Sequence, residues 1–589
     1  MEVTRLFDLL PYHKNKFQPK DDVLAGKEDG VWIKYSIDQY IEAAENISYG
    51  FLKLGVQKGD KIATISNNRP EWNFLDMGIA QTGAIHVPIY PTISEADYKY
   101  ILNHAEVKYV FVAGQELLRK IEHILPEVPS LKGLYTFRHI DTVKHLKDLI
   151  DLGKANPVPE KLQEIRDSIK PDDITTLIYT SGTTGVPKGV MLTHANLLSN
   201  VEGVYRIFPL DETCIGLSYL PLCHVYERMN IYTYQYLGVS IYYAENMGTI
   251  GDNIREISPH ILTTVPRLLE KVYDKILAKG RKLKGVKRNI FFWAVNLANA
   301  YELKGKSPFY RMQLAIADKL VFSKWREALG NRMRVIVSGG AALQPRLARI
   351  YTAAGIPVLE GYGLTETSPV IAVNNFDPGG QKFGTVGPPL HNVQVKIGDD
   401  GEILAKGPNV MVGYYKEPEL TKEVLTPDGW FHTGDMGMID EDGHLKITGR
   451  KKEIFKTSLG KYISPQLLEN RFKESPFIDA AMVVGEHQKY AAALIVPDFV
   501  YLRSWCGVKG IPYTSDEDMI THKEIKDRIK KEIDHYNSFF GTTEKVMSHD
   551  ILGKEWSVEN GELTASLKLR RNFIHEKYKE NIERLFAGK

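Results

Sequence analysis

The chain has 589 residues, and at roughly 150 residues per domain it holds several modules around more than one core, which excludes a peptide-sized binding motif. Lysine and arginine number 75 against 73 aspartate and glutamate, a balance of +2, with 43% hydrophobic and 25% charged residues; this excludes a disordered chain and a nucleic-acid-coating surface. The three cysteines, Cys214, Cys223 and Cys506, make neither a metal-ligand spacing nor a disulfide framework for so long a chain, so a reducing, cytoplasmic location is expected. Residues 1–20 carry Glu2 and Asp8 and no signal-peptide core, so no secretion is expected. The most apolar windows, 290–300 and 491–497, fall short of the roughly 18 residues a spanning helix requires.

From Lys61 the pattern alternates: apolar runs at 61–66, 85–90 and 108–113 with helical stretches at 70–83 and 94–105 between them. Short, continuously apolar strands alternating with helices predict a parallel sheet buried on both faces, with ligands at the carboxyl ends of the strands. Next, three glycines, four small hydroxyls and a lysine crowd into Tyr179-Thr180-Ser181-Gly182-Thr183-Thr184-Gly185-Val186-Pro187-Lys188-Gly189, after the apolar run 176–179. Such a loop suits polyphosphate, because glycines let backbone N–H groups turn inward, hydroxyls donate to phosphate or ligate a divalent cation, and Lys188 adds positive charge. It is not a Walker A loop, since Lys188 precedes a glycine instead of Ser or Thr.

The strand-then-turn signature returns at 334–337, which runs into Ser338-Gly339-Gly340-Ala341-Ala342, so a second α/β unit is expected. Farther on, 393–397 and 402–406 flank Asp399-Asp400-Gly401, and Asp440-Glu441-Asp442-Gly443 precedes 444–447; these Asp-Gly turns predict antiparallel strands. After the polar Lys451-Lys452-Glu453 a second strand pair, 480–485 and 491–497, leads into charged, helix-rich sequence. The domains are therefore placed at 1–450 and 451–589.

Three more fragments follow the glycine-rich loop in order: Gly361-Tyr362-Gly363-Leu364-Thr365-Glu366-Thr367, Gly429-Trp430-Phe431-His432-Thr433-Gly434-Asp435, and Gly449-Arg450 with Lys456 and Gly460. With these the chain resembles, over nearly its whole length, the adenylate-forming enzymes: acyl-CoA synthetases, firefly luciferase and the adenylation domains of peptide synthetases. The resemblance implies an α/β fold, with a large N-terminal domain of doubly wound α/β subdomains plus a small β-barrel-like subdomain, and a small mobile α+β C-terminal domain. It implies attack of a carboxylate on the α-phosphate of ATP, loss of pyrophosphate, and thiol attack on the acyl adenylate.

Carried over residue by residue, the resemblance makes Thr180 and Glu366 the Mg²⁺ ligands, with Thr365 beside Glu366 in the catalytic set. Ser181, Gly182, Thr183, Thr184, Gly185 and Lys188 would cradle the phosphates. Tyr362, between Gly361 and Gly363, would flank adenine, with Gly339, Gly340 and Ala341 on its other side. Asp435 would take the ribose hydroxyls, with Arg450 as a second ribose or phosphate contact. In Gly561-Glu562-Leu563-Thr564-Ala565-Ser566-Leu567-Lys568 the family's mobile lysine is Lys568, although Thr564-Ala565-Ser566 replaces the usual Thr-Pro-Thr. Lys452 matches the hinge about which the small domain alternates. Lys456 precedes Thr457-Ser458-Leu459-Gly460-Lys461, where Gly460 would let the pantetheine of coenzyme A pass; many relatives have Gly-Gly at Leu459-Gly460.

The segment Leu220-Pro221-Leu222-Cys223-His224-Val225-Tyr226-Glu227-Arg228 resembles the His-x-x-Glu stretch beside the acyl site of long-chain fatty acyl-CoA synthetases, which makes His224 a catalytic candidate. Thr263-Thr264-Val265-Pro266-Arg267 and the insertion after it also resemble that branch. Residues 267–327 hold fifteen Lys/Arg against five Asp/Glu, interleaved with Leu268, Leu269, Val272, Ile276, Leu277, Phe291, Phe292 and Trp293 at helical spacing. Two readings stand: the favoured one is helices packed on the main domain with a solvated basic face, and the other is peripheral membrane contact at the inner surface through anionic lipid.

The expected activity is ligation of a long-chain fatty acid to coenzyme A with ATP and Mg²⁺, with fatty acid, ATP and coenzyme A as partners and no nucleic acid. A fatty acyl-AMP ligase serving a carrier protein is the first rival, disfavoured because 445–450 runs to Lys456 and Gly460 without an inserted segment. A non-catalytic adenylate-binding protein is the second, disfavoured by the presence of Glu366 and Lys568. The sequence sets no oligomeric state.

Overall fold

The alternating stretch from Lys61 forms strands Lys61–Ile65, Ile85–Ile89 and Val107–Val112 joined by helices Pro70–Gln81 and Glu95–His104. Pro70 opens the first helix, where its missing N–H costs nothing, and the Ser94 hydroxyl caps the second by accepting from Asp97 N. The computed structural model describes residues 2–181, 186–246, 248–542, 544–564 and 568–587. It divides into a unit of Met1–Lys396, Leu404–His432 and Asp440–Leu445, and a unit of Ile397–Ile403, Thr433–Ile439 and Lys446–Lys589.

The first unit contains two eight-stranded sheets. One runs Gly413–Tyr414, Pro187–Thr193, Ile174–Ser181, Ile85–Ile89, Lys61–Ile65, Val107–Val112, Gly133–Thr136, Lys144–His145; its strands are parallel from Ile174–Ser181 onward and antiparallel before it. The other has five parallel pairings through Val358–Gly363, Val335–Ser338, Ile261–Thr264, Ile215–Ser218, Ser240–Tyr243 and Leu24–Glu28, with antiparallel edge strands Val370–Val373 and Val31–Tyr35. Strands such as Val107–Val112 and Ile261–Thr264 are buried almost throughout, as sheets covered by helices on both faces require.

The insertion after Arg267 forms helices Pro266–Lys282, Gly285–Asn299, Pro308–Ala317 and Ser323–Ala328, with a π-helical turn at Asp318–Phe322. Its quoted apolar residues face inward. Leu269 and Phe291 are buried, and Leu268, Val272, Ile276, Leu277, Phe292 and Trp293 pack against the same core, beside Leu347 and Tyr351 of helix Pro345–Ala353. These side chains therefore pack on the main domain, Leu269 and Phe291 buried and the other six half-buried.

The stretch rich in Asp-Gly turns forms a four-stranded sheet in the order Gln394–Ile397, Glu402–Lys406, Phe431–Ile439, Leu445–Arg450. In the second unit, Ile478–Val484 pairs antiparallel with Ala491–Pro497, which pairs parallel with Val546–Ile551. Successive side chains point to opposite faces of a strand. Ala491, Ala493 and Ile495 accordingly enter one core with Ile525 and Ile529, while Ala492, Leu494 and Val496 enter another with Trp556, Ile574 and Leu585. Among the described residues no helix is long and apolar enough to cross a membrane.

Candidate active site

The strands on either side of the glycine-rich run pair with one another. Strand Ile174–Ser181 returns as Pro187–Thr193, with Thr180 opposite Lys188 and Ser181 opposite Pro187. Gly182, Thr183, Thr184 and Gly185 lie outside the described residues, and Lys188 stands on the return strand instead of in the loop. The Lys188 ammonium is 5.4 Å from the centre of the Tyr414 ring. Tyr414, on the short strand paired with Val190 and Met191, donates its hydroxyl to Glu366 Oε1 at 2.8 Å. Burial first, and then the neighbouring Glu366 carboxylate, push the Tyr414 phenol well above its ordinary range, so it remains a donor. Thr180 supplies a hydroxyl and Glu366 a half-buried carboxylate: hard oxygen donors of the kind Mg²⁺ takes.

Thr365, Glu366 and Thr367 form a 3-10 turn at the end of strand Val358–Gly363. Gly363 is required there, since a Cβ would lie 1.8 Å from the Pro369 carbonyl oxygen. Tyr362 is half-buried opposite Ala372, with Gly361 opposite Val373. Immediately before them Glu360 is buried, accepts the Leu343 N–H at 3.0 Å, and is pushed by burial up to about 8. One strand away, Val335–Ser338 ends in Gly339, whose N–H donates to Thr264 O at 3.1 Å, and in Gly340, whose φ of +79° suits glycine; Gly340 and Ala341 are exposed.

His224 is the cap of helix Val225–Leu237, its Nδ1 accepting Tyr226 N–H at 3.1 Å. Tyr226 donates to Val337 O at 3.0 Å, and its ring lies 3.1 Å from where a Cβ on Gly339 would be, so helix start and glycine turn are neighbours. Glu227 is fully buried, accepts the Thr263 hydroxyl at 2.7 Å, and is pushed by burial up to about 7. One position on, Arg228 is fully buried in a polar network that no motif announced. Its guanidinium meets Asp76 at 2.5 Å and Thr176 Oγ1 at 2.7 Å. Asp76 holds His86 Nδ1 at 2.6 Å and the Tyr232 hydroxyl at 2.6 Å, and His86 Nε2 meets Thr64 Oγ1 at 2.8 Å. Burial pushes the Asp76 carboxyl up, but Arg228 and then His86 overcome it and hold it at about 2. Thr176 lies on the strand that ends in the glycine-rich hairpin, so the network ties that strand to the helix capped by His224. Asp76 and Arg228 are 152 residues apart, which is why local spacing gave no signal.

Asp435, Arg450, Lys452, Lys456, Gly460 and Lys568 belong to the second unit. Asp435 is buried on strand Phe431–Ile439 and pairs with Arg450 Nε at 2.8 Å, so the two expected ribose contacts touch one another. Lys451 bridges Asp400 at 2.6 Å and Glu402 at 2.8 Å, and its backbone N–H meets Gly434 O, which pins the chain just before the exposed turn at Lys452. Lys456 and Tyr462 face one another across a hairpin, with the ammonium 5.4 Å from the ring and Gly460 at φ +77° in the turn. Exposed Lys568 exchanges hydrogen bonds with Thr564, its N–H donating to Thr564 Oγ1 at 3.0 Å; Ala565 and Ser566 lie outside the described residues. Arg571 clamps Glu453 at 2.9 Å and Glu469 at 2.5 Å, tying the helix that follows Lys568 to the residue after Lys452.

Residues 13–415 match the model of the AMP-binding enzymes, and residues 452–589 that of the AMP-binding enzyme C-terminal domain. Long-chain-fatty-acid–CoA ligase FadD15 of Mycobacterium bovis is 33% identical over 95% of this chain and 93% of its own. The peroxisomal long chain acyl-CoA synthetase 7 of Arabidopsis thaliana is 33% identical over 95% of this chain and 83% of its own. Among solved structures, the adenylation domain of a carboxylate reductase from Mycobacterium chelonae superposes with a TM-score of 0.76 at 21% identity, covering 99% of this chain and 91% of that one; this likeness is one of fold.

Proposed function

The chain belongs to the AMP-binding enzymes, and from that premise we propose that it ligates a long-chain fatty acid to coenzyme A in two steps. A carboxylate oxygen of the acid attacks the α-phosphorus of ATP, the bond to pyrophosphate breaks, and acyl-AMP forms. The coenzyme A thiol then attacks the acyl carbon, loses its proton, and releases AMP. The observation that carries this reading is the alignment of Lys188, Tyr414 and Glu366 beside the glycine-rich hairpin, in a chain whose long-chain ligase relatives match it nearly end to end.

Lys188 and residues 180–185 hold the phosphates, and Tyr414 keeps Glu366 oriented. Glu366 and Thr180 would hold Mg²⁺, which when bound neutralises triphosphate oxygens as charge moves toward pyrophosphate. Tyr362 with Gly361 and Gly363, and Gly339 with Gly340 and Ala341, accept the adenine, and small residues permit that close approach. Asp435 takes the ribose, with Arg450, paired to its carboxylate, as a second ribose or phosphate contact. Thr365 and His224 serve the reacting carboxylate. Lys568 stabilises charge on carboxylate and α-phosphate in the first step. The hairpin with Lys456 and Gly460 serves the second step, with Lys452 as the pivot between domains 1–450 and 451–589. Peripheral membrane contact through 267–327 belongs to the same reading, since long acyl chains reside in bilayers.

A mass-spectrometric product screen with ATP, Mg²⁺ and saturated acids from acetate to eicosanoate, with and without coenzyme A, tests the proposal. Acyl-CoA and AMP from the long acids are expected. Acyl-AMP that accumulates despite coenzyme A would replace the reading with an acyl-AMP ligase, and absence of ATP turnover with every acid would replace it with a binding protein.

A further inference from the structure

The turn Asp440-Glu441-Asp442-Gly443-His444, which the sequence marks as a link between strands, holds three side chains that no step of the reaction uses. It joins strand Phe431–Ile439 to Leu445–Arg450. Asp440 fixes its shape: Asp440 Oδ1 accepts the N–H groups of Asp442 and His444, both at 3.0 Å, and the Asp440 N–H donates to His444 O at 3.0 Å. His444 is only 2% exposed, yet among the described residues neither of its ring nitrogens has a hydrogen-bond partner. Its Nδ1 lies 3.8 Å from an oxygen of Asp440, beyond hydrogen-bond reach. A neutral imidazole carries one donor and one acceptor, and a buried one with both unmade points to a ligand that would meet it.

The groups around His444 select a cation. Ligand atoms of Asp440, Asp442 and His444 lie within 4.8 Å of one another. An ion at about 2 Å from each needs only small side-chain rotations, which exposed Asp442 can make. The site already attracts positive charge: Lys382 Nζ bridges Asp440 Oδ2 at 2.8 Å and Asp442 Oδ2 at 2.6 Å. That ammonium serves the two carboxylates and leaves the imidazole without a partner. Its side chain is 43% exposed, so it can swing into water. A metal ion would take both carboxylates and the imidazole together, which the ammonium does not. One ring nitrogen with two carboxylates is the mixed donor set that Zn²⁺ accepts, whereas Mg²⁺ and Ca²⁺ favour shells made of oxygen. The three ligands share no residue with the Mg²⁺ pair Thr180 and Glu366.

We propose that Asp440, Asp442 and His444 bind one divalent ion of the Zn²⁺ class, with Lys382 as the cation that it displaces. The full chain, stripped with a chelator and dialysed, is titrated with Zn²⁺ against a colorimetric chelator in the presence of excess Mg²⁺. The unsubstituted protein should take up one more equivalent of Zn²⁺ than either Asp442→Asn or His444→Phe. Lys382→Met should hold that equivalent about threefold or more tightly, because the ion no longer competes with an exposed ion pair. Asp442 is exposed, so metal-free Asp442→Asn should melt where the metal-free unsubstituted protein melts. Zn²⁺ should then raise the melting temperature of the unsubstituted protein and not that of Asp442→Asn. Equal Zn²⁺ uptake by the unsubstituted protein and both ligand variants would overturn the proposal, and so would loss of the ion to excess Mg²⁺. Weaker Zn²⁺ binding by Lys382→Met would overturn it too, since the lysine would then be part of the site instead of its competitor. The readout is metal binding alone, so the proposal stands or falls apart from the ligase reading, which the product screen tests.

Discussion

Replacing Glu227 by glutamine should change how stability responds to pH without altering the fold. Glu227 is fully buried in the first turn of Val225–Leu237, where burial pushes its carboxyl from 4.5 up to about 7, while hydrogen bonds from Ser218 and Thr263 pull it partly back. Between those two values the folded protein keeps a proton that the unfolded chain has released. Stability therefore falls as pH rises from 4.5 to about 7 and levels off above that window. A shift of 7 − 4.5 = 2.5 units, at about 1.4 kcal/mol per unit, corresponds to about 3 kcal/mol. Glutamine keeps an amide oxygen for the Thr263 hydroxyl and has no proton to lose. Urea unfolding followed by far-ultraviolet circular dichroism from about pH 4.5 to 8 should show the unsubstituted protein losing about 3 kcal/mol more than Glu227→Gln. Parallel stability curves for the two proteins would refute the argument, because they would mean that Glu227 titrates alike folded and unfolded.

Arg228→Met should destabilise the first unit by about 3–5 kcal/mol in urea unfolding, because it strands the buried Asp76 carboxylate, and Asp76→Leu added to it should recover part of the loss. A loss near zero would mean that His86 and Tyr232 suffice for Asp76. Lys568→Ala should lower acid-dependent ATP–pyrophosphate exchange by about 10²- to 10³-fold while leaving thioester formation from supplied acyl-AMP largely intact; equal loss of both would count against its assigned role. Lys452→Pro, which locks φ near about −65°, should do the reverse, and unchanged rates for both half-reactions would place the hinge elsewhere. Gly363→Ala should abolish the first half-reaction, since a Cβ 1.8 Å from Pro369 O forces the turn carrying Glu366 to move; activity near that of the unsubstituted protein would show that the turn adjusts freely.

The alternating strands and helices from Lys61 and the paired strands before and after Gly485 were legible because burial imposes a local period, continuous for a strand covered on both faces and twofold within one strand. The motif fragments were legible because each is contiguous. What contiguity could not show was which distant residues complete them. The Gly/Thr run reads as a loop, and only pairing with Pro187–Thr193 reveals a hairpin that puts Lys188 on a strand facing Tyr414. Tyr414 itself carries no signal, because its partner Glu366 is 48 residues away. Likewise Asp76, His86, Arg228 and Thr176 come from four separate elements, and a charge network of that kind exists only once the helices are laid on the sheet.

The insertion shows the division most plainly. Composition and helical spacing determined by themselves that residues 267–327 form basic amphipathic helices. Which apolar face is buried was decided by tertiary packing: Leu269 and Phe291 join Leu347 and Tyr351 in one core, whereas Phe309 and Ile316 stay exposed. Hydrophobicity is a property of the side chain and can be read one residue at a time. Burial is a property of the neighbours, and those are set only when segments far apart in the chain come together.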